Sequence, residues 1–422
     1  MTNQLICLVD QIHSSLDINL EVRSVFLDMS KAFDKVWHEG LLFKLQQNGI
    51  KGDLLDLLKS YLSSRKQRVL INGFESEWGE IESGVPQGSV LGPLLFLIYI
   101  NDLEKGIKSQ INFFADDTSL FSIVQDPTVS AHELNNDLKL ISRWAHQWKM
   151  SFNPDPTKQA VQVLFSRRIK KVDHPPIYFN DIEVKTVNEH KHLGLTLDSK
   201  LTFASHIDEK LKKARNGLGI IKSLSRYLSV KTLELIYKMY IRPHLDFCDV
   251  IYHLPCVTNP FDSSINLNYL KNTLERIQYH AALAITGAWK GSSLNKIYDE
   301  LGWESLTDRR YCRRLFQFYK IENNLTPSYM KDHLPPKIRH SHSTRSEFVF
   351  HEIKCSSDRY KCSFYPDTVK CWSRLGGILR NSPNIKSFKS QLLAGYRSPP
   401  RSIFGIHDSL GVRRLFPIVT RS

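Results

Sequence analysis

The chain has 422 residues, 41% apolar and 24% charged, a balance that excludes a disordered polymer. Its formal net charge of +14 is unevenly spread: residues 1–198 hold 21 basic and 25 acidic side chains, net −4, and residues 199–422 hold 36 and 18, net +18. An acidic front half fits metal chemistry and a basic back half fits a polyanionic partner, the plain alternative being a basic region that confers only solubility.

In chain order, residues 5–16 read as an amphipathic helix behind an amino terminus with no basic region and apolar core. The expected location is therefore intracellular, nuclear or cytoplasmic, and not secreted. Residues 21–29 read as a buried strand with Asp28 near its carboxyl end. Short helical patterns follow at 41–45 and 54–62, then a hairpin at 68–78 turning on Asn72-Gly73. Residues 84–89 form a loop that opens an apolar helix running to about residue 102, with Pro93 in its first turn. The run from 90 to 100 is too short to span a bilayer, so no membrane is expected as a partner.

A second hairpin is expected at 111–124, carrying Asp116-Asp117 at its tip. Leu134, Leu138, Ile141, Ala145 and Trp148 then mark one helix face. Strands are expected at 160–165 and 193–197, with a hairpin at 177–184 between them. After Asp198 the period becomes helical, at 207–221, 230–241, 268–287, 293–301 and 306–323, and beyond Pro335-Pro336 it fades. The seven cysteines form no Cys-x-x-Cys pair. His244, Cys248, His253 and Cys256 are zinc-ligand types in an apolar stretch, but their spacing matches no standard finger, so buried thiols are expected.

Two adjacent carboxylates at a turn repel each other, and a divalent cation between them offsets that repulsion. Taken alone, Asp116-Asp117 also reads as a solvated turn. If the strand before Asp28 and the 111–124 hairpin share a sheet, three carboxylates meet at one edge, a donor set suited to two Mg2+ ions. That is the arrangement used for nucleotidyl transfer.

Three segments occur in series: Phe26-Leu27-Asp28-Met29-Ser30-Lys31-Ala32-Phe33-Asp34, Gly84-Val85-Pro86-Gln87-Gly88-Ser89 with Leu91-Gly92-Pro93, and Phe114-Ala115-Asp116-Asp117. Together they resemble the palm motifs of reverse transcriptases of non-LTR (LINE-type, jockey-like) retrotransposons. Trp148-Lys149-Met150-Ser151-Phe152-Asn153-Pro154 with Lys158 resembles the fourth palm motif, and His192-Leu193-Gly194-Leu195-Thr196-Leu197-Asp198 resembles the primer-grip segment. The likeness continues through 241–246 and 301–306 to about residue 335.

The resemblance implies an α+β fold: a right-hand palm of antiparallel sheet and helices over 1–198, with partial fingers. A mainly helical, basic thumb over 199–335 and a poorly defined tail of unknown role over 336–422 would follow. It implies an RNA-directed DNA polymerase that extends a primer 3′-OH by two-metal nucleotidyl transfer, with an RNA template, a DNA primer and deoxynucleoside triphosphates as partners. Two Mg2+ ions are the implied cofactor, with Mn2+ as a substitute.

By the same resemblance, Asp28, Asp116 and Asp117 are the metal-binding and catalytic acids, joined by the Met29 carbonyl. Phe33 is the steric gate that rejects a ribose 2′-OH, and it argues against an RNA-dependent RNA polymerase. Gln87 and Gly88 support the incoming nucleotide. Lys158 is the general acid for the leaving pyrophosphate, although Asn153-Pro154-Asp155-Pro156-Thr157-Lys158 carries an extra proline relative to a tighter Asn-Pro-x-Lys. Lys210, Lys212, Lys213 and Arg215 are the expected duplex-gripping residues, with Arg309-Arg310 and Arg313-Arg314 as a second patch. The fingers and endonuclease are expected to be absent, since about 27 residues precede Asp28 and Arg23 is the one basic residue among them. The alternative is a truncated relic that retains nucleic-acid binding without useful catalysis.

Overall fold

A computed structural model describes residues 1–168, 170, 172–253, 267–338, 349–397, 406–407 and 413–414; of residues 267–271, 395–397, 406–407 and 413–414 it describes the backbone alone. The chain divides into two compact units. One comprises Asn19–Gly194 with Asp198–Lys200; the other comprises Met1–Ile18, Leu195–Leu197 and Leu201–Ser422.

The first unit is built on a five-stranded sheet in the order Lys185–Thr186, Ala160–Phe165, Glu21–Leu27, Asp117–Val124, Gln110–Phe114. Every neighbouring pair is antiparallel except Lys185–Thr186 on Ala160–Phe165. The central strand, Glu21–Leu27, is buried at every position, so its polar side chains need partners. Arg23 donates from Nε and Nη2 to Gln162 Oε1 at 3.2 and 2.9 Å, and Glu21 accepts from Ser166 Oγ at 2.5 Å. Val25 and Leu27 pack into one core with Leu95, Phe96 and Tyr99 of Leu91–Ile100 and with Leu134, Leu138 and Ile141 of Pro127–Gln147. These are the stripe residues that a period of 3.6 predicts.

Lys44 is buried in this core. Its Nζ bonds Tyr99 O and Asp102 Oδ1, both at 2.5 Å, and lies 3.7 Å from the Trp148 ring centre and 4.9 Å from those of Tyr99 and Trp144.

The second unit differs from expectation at both ends of the chain. The helix Thr2–Asp17 does not belong with the sheet, as a domain over 1–198 would require, but with the carboxyl-terminal helices. Cys7 Sγ lies 3.2 Å from Met330 Sδ, Asp10 pairs with His333 at 2.7 Å, and the Asp17 carboxylate accepts from the Ser356 and Ser357 amides at 2.7 Å. Beyond 336 the described residues include the helices Asp358–Lys361, Phe364–Ser373, Gly377–Arg380 and Ile385–Arg397, where no period was expected. Phe350, Val369, Trp372, Phe388 and Leu392 share a core with Leu315, Phe318 and Tyr319. Most of these helices are too short for a hydrophobic period to register.

Candidate active site

The register of the sheet decides where the acids go. Leu27 pairs with Thr118, so the chain leaves the sheet at Asp28 beside Asp117. Phe114 pairs with Asp117, which leaves Ala115-Asp116 as a two-residue turn. Ala115 takes φ 54°, a left-handed conformation that a non-glycine residue adopts at an energetic cost and that recurs at functional turns. Asp28, Asp116 and Asp117 thus stand at one end of one sheet, Asp28 and Asp117 exposed and Asp116 half-buried. The Asp117 carboxyl titrates above the ordinary range, because the sheet end removes part of its hydration and the charges of Asp116 and Asp28 add to the effect.

Among the described residues no three His, Cys, Asp or Glu side chains converge as a finished metal cage. The donors fit Mg2+ in another way: it takes hard oxygens, is held by one or two carboxylates, and completes its shell with water and substrate phosphates.

Asp28 is gripped by the segment 151–159. Its N–H donates to Gln159 O at 3.0 Å, its carbonyl accepts from Asn153 N–H at 2.9 Å, and its Oδ2 accepts from Asn153 Nδ2 at 2.6 Å. Met29 bridges to Phe152, and Ser30 N–H donates to Ser151 O at 2.9 Å. In the sequence Asn153 is only one residue of a motif. A donor able to reach a carboxylate 125 residues away has no local signature.

His190 also borders this end of the sheet. Its ring stacks on Phe26 at 4.3 Å and 23°, and burial pushes its pKa down to about 4 although the Asp28 charge opposes this. It is therefore neutral near pH 7.

Phe33 lies in the single turn Ala32–Lys35, entered through Lys31 at φ 49°, and its ring stacks on Phe96 at 4.4 Å and 27°. Residues 83–89 are tied to this turn: Val85 N–H donates to Phe33 O at 2.9 Å, Gly84 N–H to Val36 O at 2.8 Å, and Gln87 Nε2 to Asp34 Oδ1 at 2.8 Å. Gly84 is required there, because a Cβ would lie 2.7–2.9 Å from Asp34 backbone atoms. Gln87 and Gly88 are exposed, and Gly88 takes φ 82°.

Residues 7–197 match the family described as reverse transcriptase (RNA-dependent DNA polymerase). The chain therefore contains a reverse transcriptase domain. It is 31% identical over 330 residues to the probable RNA-directed DNA polymerase from transposon X-element of Drosophila melanogaster, covering 74% of this chain and 34% of that protein. It is also 31% identical over 268 residues to the RNA-directed DNA polymerase from mobile element jockey of Drosophila funebris, covering 59% and 29%. The chain spans about a third of the length of these curated relatives. Among solved structures, apo telomerase from Candida tropicalis aligns with a TM-score of 0.37 at 11% identity, covering 74% of this chain and 48% of that one.

The remaining expected residues are dispersed. Lys158 is exposed on the short helix Pro156–Gln159 and pairs with Asp155 at 3.1 Å. Asp155 caps that helix, which is what the extra proline segment builds: its Oδ1 accepts from Thr157 N–H at 3.1 Å and Thr157 Oγ1 at 2.7 Å. On Ala204–Leu224, Lys212, Lys213 and Arg215 are exposed, and the two lysines pair with Asp208 and Glu209 at 2.8 and 2.7 Å. Lys210 does not share their surface: it is buried, with Nζ 4.4 Å from the Phe247 ring centre, because it lies on the helix face that carries Ile207, Leu211 and Ala214.

The arginine pairs are not a second basic patch. Arg309 makes a forked contact with Asp246, Arg313 pairs with Asp246 and Asp249, and Arg310 and Arg314 are buried. Arg23, whose guanidinium also donates to Pro175 O, is committed inside the sheet. Cys248 and His253 are buried, and Cys256 lies outside the described residues. Among the described residues no helix is long and apolar enough to cross a membrane.

Proposed function

We propose that this chain is the polymerising part of a retrotransposon reverse transcriptase, an RNA-directed DNA polymerase that adds deoxynucleotides to a primer 3′-OH. The observation that carries this reading is the sheet register that sets Asp28 beside Asp117 and leaves Asp116 in the adjoining turn.

Asp28 and Asp116, with the Met29 carbonyl and Asp117 nearby, are the groups that would hold two Mg2+ ions. Bound there, the ions would lower the pKa of the primer hydroxyl and neutralise the leaving pyrophosphate. The protein's own contribution is to set oxygen donors in place in advance, so that little rearrangement is needed as charge develops. Phe33 acts as the sugar gate, its ring braced by stacking on Phe96 where a 2′-OH would project. Gln87 and Gly88 support the nucleotide from a loop already tied to Asp34. For Lys158 to protonate pyrophosphate, its pair with Asp155 must open, a small cost at an exposed site. Lys212, Lys213 and Arg215 meet duplex phosphates through salt-sensitive contacts indifferent to sequence.

Primer extension on an RNA template with Mg2+ tests the reading. Extension by wild type and its loss in Asp116→Asn are expected; equal signal from the two overturns the enzyme assignment. RNA binding by wild type without extension would favour the relic alternative.

A further inference from the structure

The segment that grips Asp28 is more than a packing contact. Asn153 approaches Asp28 twice, through its backbone N–H to the carbonyl at 2.9 Å and through Nδ2 to carboxylate Oδ2 at 2.6 Å. Its own amide oxygen is held in turn, accepting from Asp155 N–H at 3.0 Å. Asp155 caps Pro156–Gln159, and Gln159 at the end of that turn accepts the Asp28 N–H at 3.0 Å. The contacts form a closed circuit from Asp28 through Asn153, Asp155 and Gln159 back to Asp28. Every hydrogen-bonding group of Asp28 is thereby taken except Oδ1, which has no partner among the described residues.

The choice of donor matters. A lysine or arginine at this distance would hold the carboxylate but cancel much of its charge. A neutral amide orients the group and leaves its negative charge for a cation. It also occupies one oxygen, so the carboxylate is presented through the other in a fixed rotamer. Groups that hydrogen-bond a metal ligand commonly contribute 10- to 100-fold to metal affinity or rate.

We propose that Asn153 is a positioning residue for Asp28, and that the Asp155-Pro156 insertion is the brace that keeps it in place. The inference rests on the polymerase reading of the acids. Asn153 acts through Asp28 and needs no contact with the substrate. Because the hydrogen bond is solvent-exposed, its loss has a modest effect on folding, so the variants remain testable.

The experiment measures Mn2+ binding to the full chain by electron paramagnetic resonance of the free ion, alongside primer-extension kinetics. Asn153→Ala should bind Mn2+ about 10-fold more weakly. Its kcat should fall while the KM for the deoxynucleotide stays near that of wild type, because the nucleotide pocket is untouched. Asp155→Ala, which loosens the brace but keeps the amide, should shift both in the same direction and by less. In an Asp28→Asn background, Asn153→Ala should change Mn2+ binding no further, since two residues acting as one unit are non-additive. Wild-type binding and extension with an unchanged Asn153→Ala overturn the positioning role alone, as does an equal effect in the Asp28→Asn background. Absence of both binding and extension in wild type overturns the polymerase reading and this inference with it.

Discussion

Two glycines in the loop before the apolar helix separate backbone strain from a direct clash. Gly84 and Gly88 both occupy the left-handed region, at φ 91° and 82°. A Cβ at Gly84 would lie 2.7 Å from Asp34 O, 2.8 Å from Asp34 Cα and 2.9 Å from Asp34 C, whereas at Gly88 nothing lies within 4 Å. Gly88→Ala therefore incurs only the left-handed penalty, about 1–2 kcal/mol. Gly84→Ala incurs that and a further ~1–3 kcal/mol of overpacking, because backbone atoms have no rotamer into which to retreat.

The relief is separation of residues 83–89 from the Phe33 turn. Amide hydrogen exchange at positions 84 and 85 reads this directly, since those N–H groups bond Val36 O and Phe33 O at 2.8 and 2.9 Å. The extra 1–3 kcal/mol corresponds to roughly 5- to 150-fold faster exchange there in Gly84→Ala than in Gly88→Ala. Equal protection of the two amides in both variants would refute the reasoning.

Three other substitutions probe the core, the second unit and the gate. Burial pushes the Lys44 pKa down to about 8 from 10.5, with Asp102 opposing the shift. Between those values the unfolded chain holds a proton that the folded chain has released, so stability rises with pH. The unfolding free energy of wild type relative to Lys44→Met should accordingly climb by about 3 kcal/mol from pH 8 to 10.5 in urea titrations; a flat difference would contradict it.

Burial raises the Asp246 pKa, but Arg309, Arg313 and Arg242 outweigh it and hold the carboxyl below its usual value. Its stabilisation is therefore present above the unfolded pKa and is lost as pH falls through the lower folded value. Asp246→Ala at neutral pH leaves three partly buried guanidiniums without this partner and should cost about 3–5 kcal/mol by chemical denaturation. Phe33→Val should lower discrimination against ribonucleotides by about 10-fold or more in single-nucleotide insertion assays, and unchanged sugar selectivity would remove the gate role.

Local patterning made much of the fold legible. Asn72-Gly73 and Asn180-Asp181 turn their hairpins with positive φ at both residues, as such pairs do. The stripe from Leu134 to Ala145 is buried as a 3.6-residue period requires. The same logic failed for Lys210, where a charged residue sits inside an apolar face and settles over Phe247. It failed for Arg309 and Arg313 because their partners, Asp246 and Asp249, lie about sixty residues away in sequence.

By itself the sequence determined most of the order of helices and strands up to about residue 335 and the series of motifs that resembles reverse transcriptases. These depend on neighbours within a few residues, where propensity, periodicity and turn chemistry act. Only the tertiary structure decided that Leu27 faces Thr118, that Asn153 reaches Asp28, that Thr2–Asp17 packs with the carboxyl-terminal helices, and that Lys210, Arg310 and Arg314 are interior. Each of these is a pairing over long sequence separation. Its free energy comes from shared burial and hydrogen bonding between distant segments, which neither segment encodes alone.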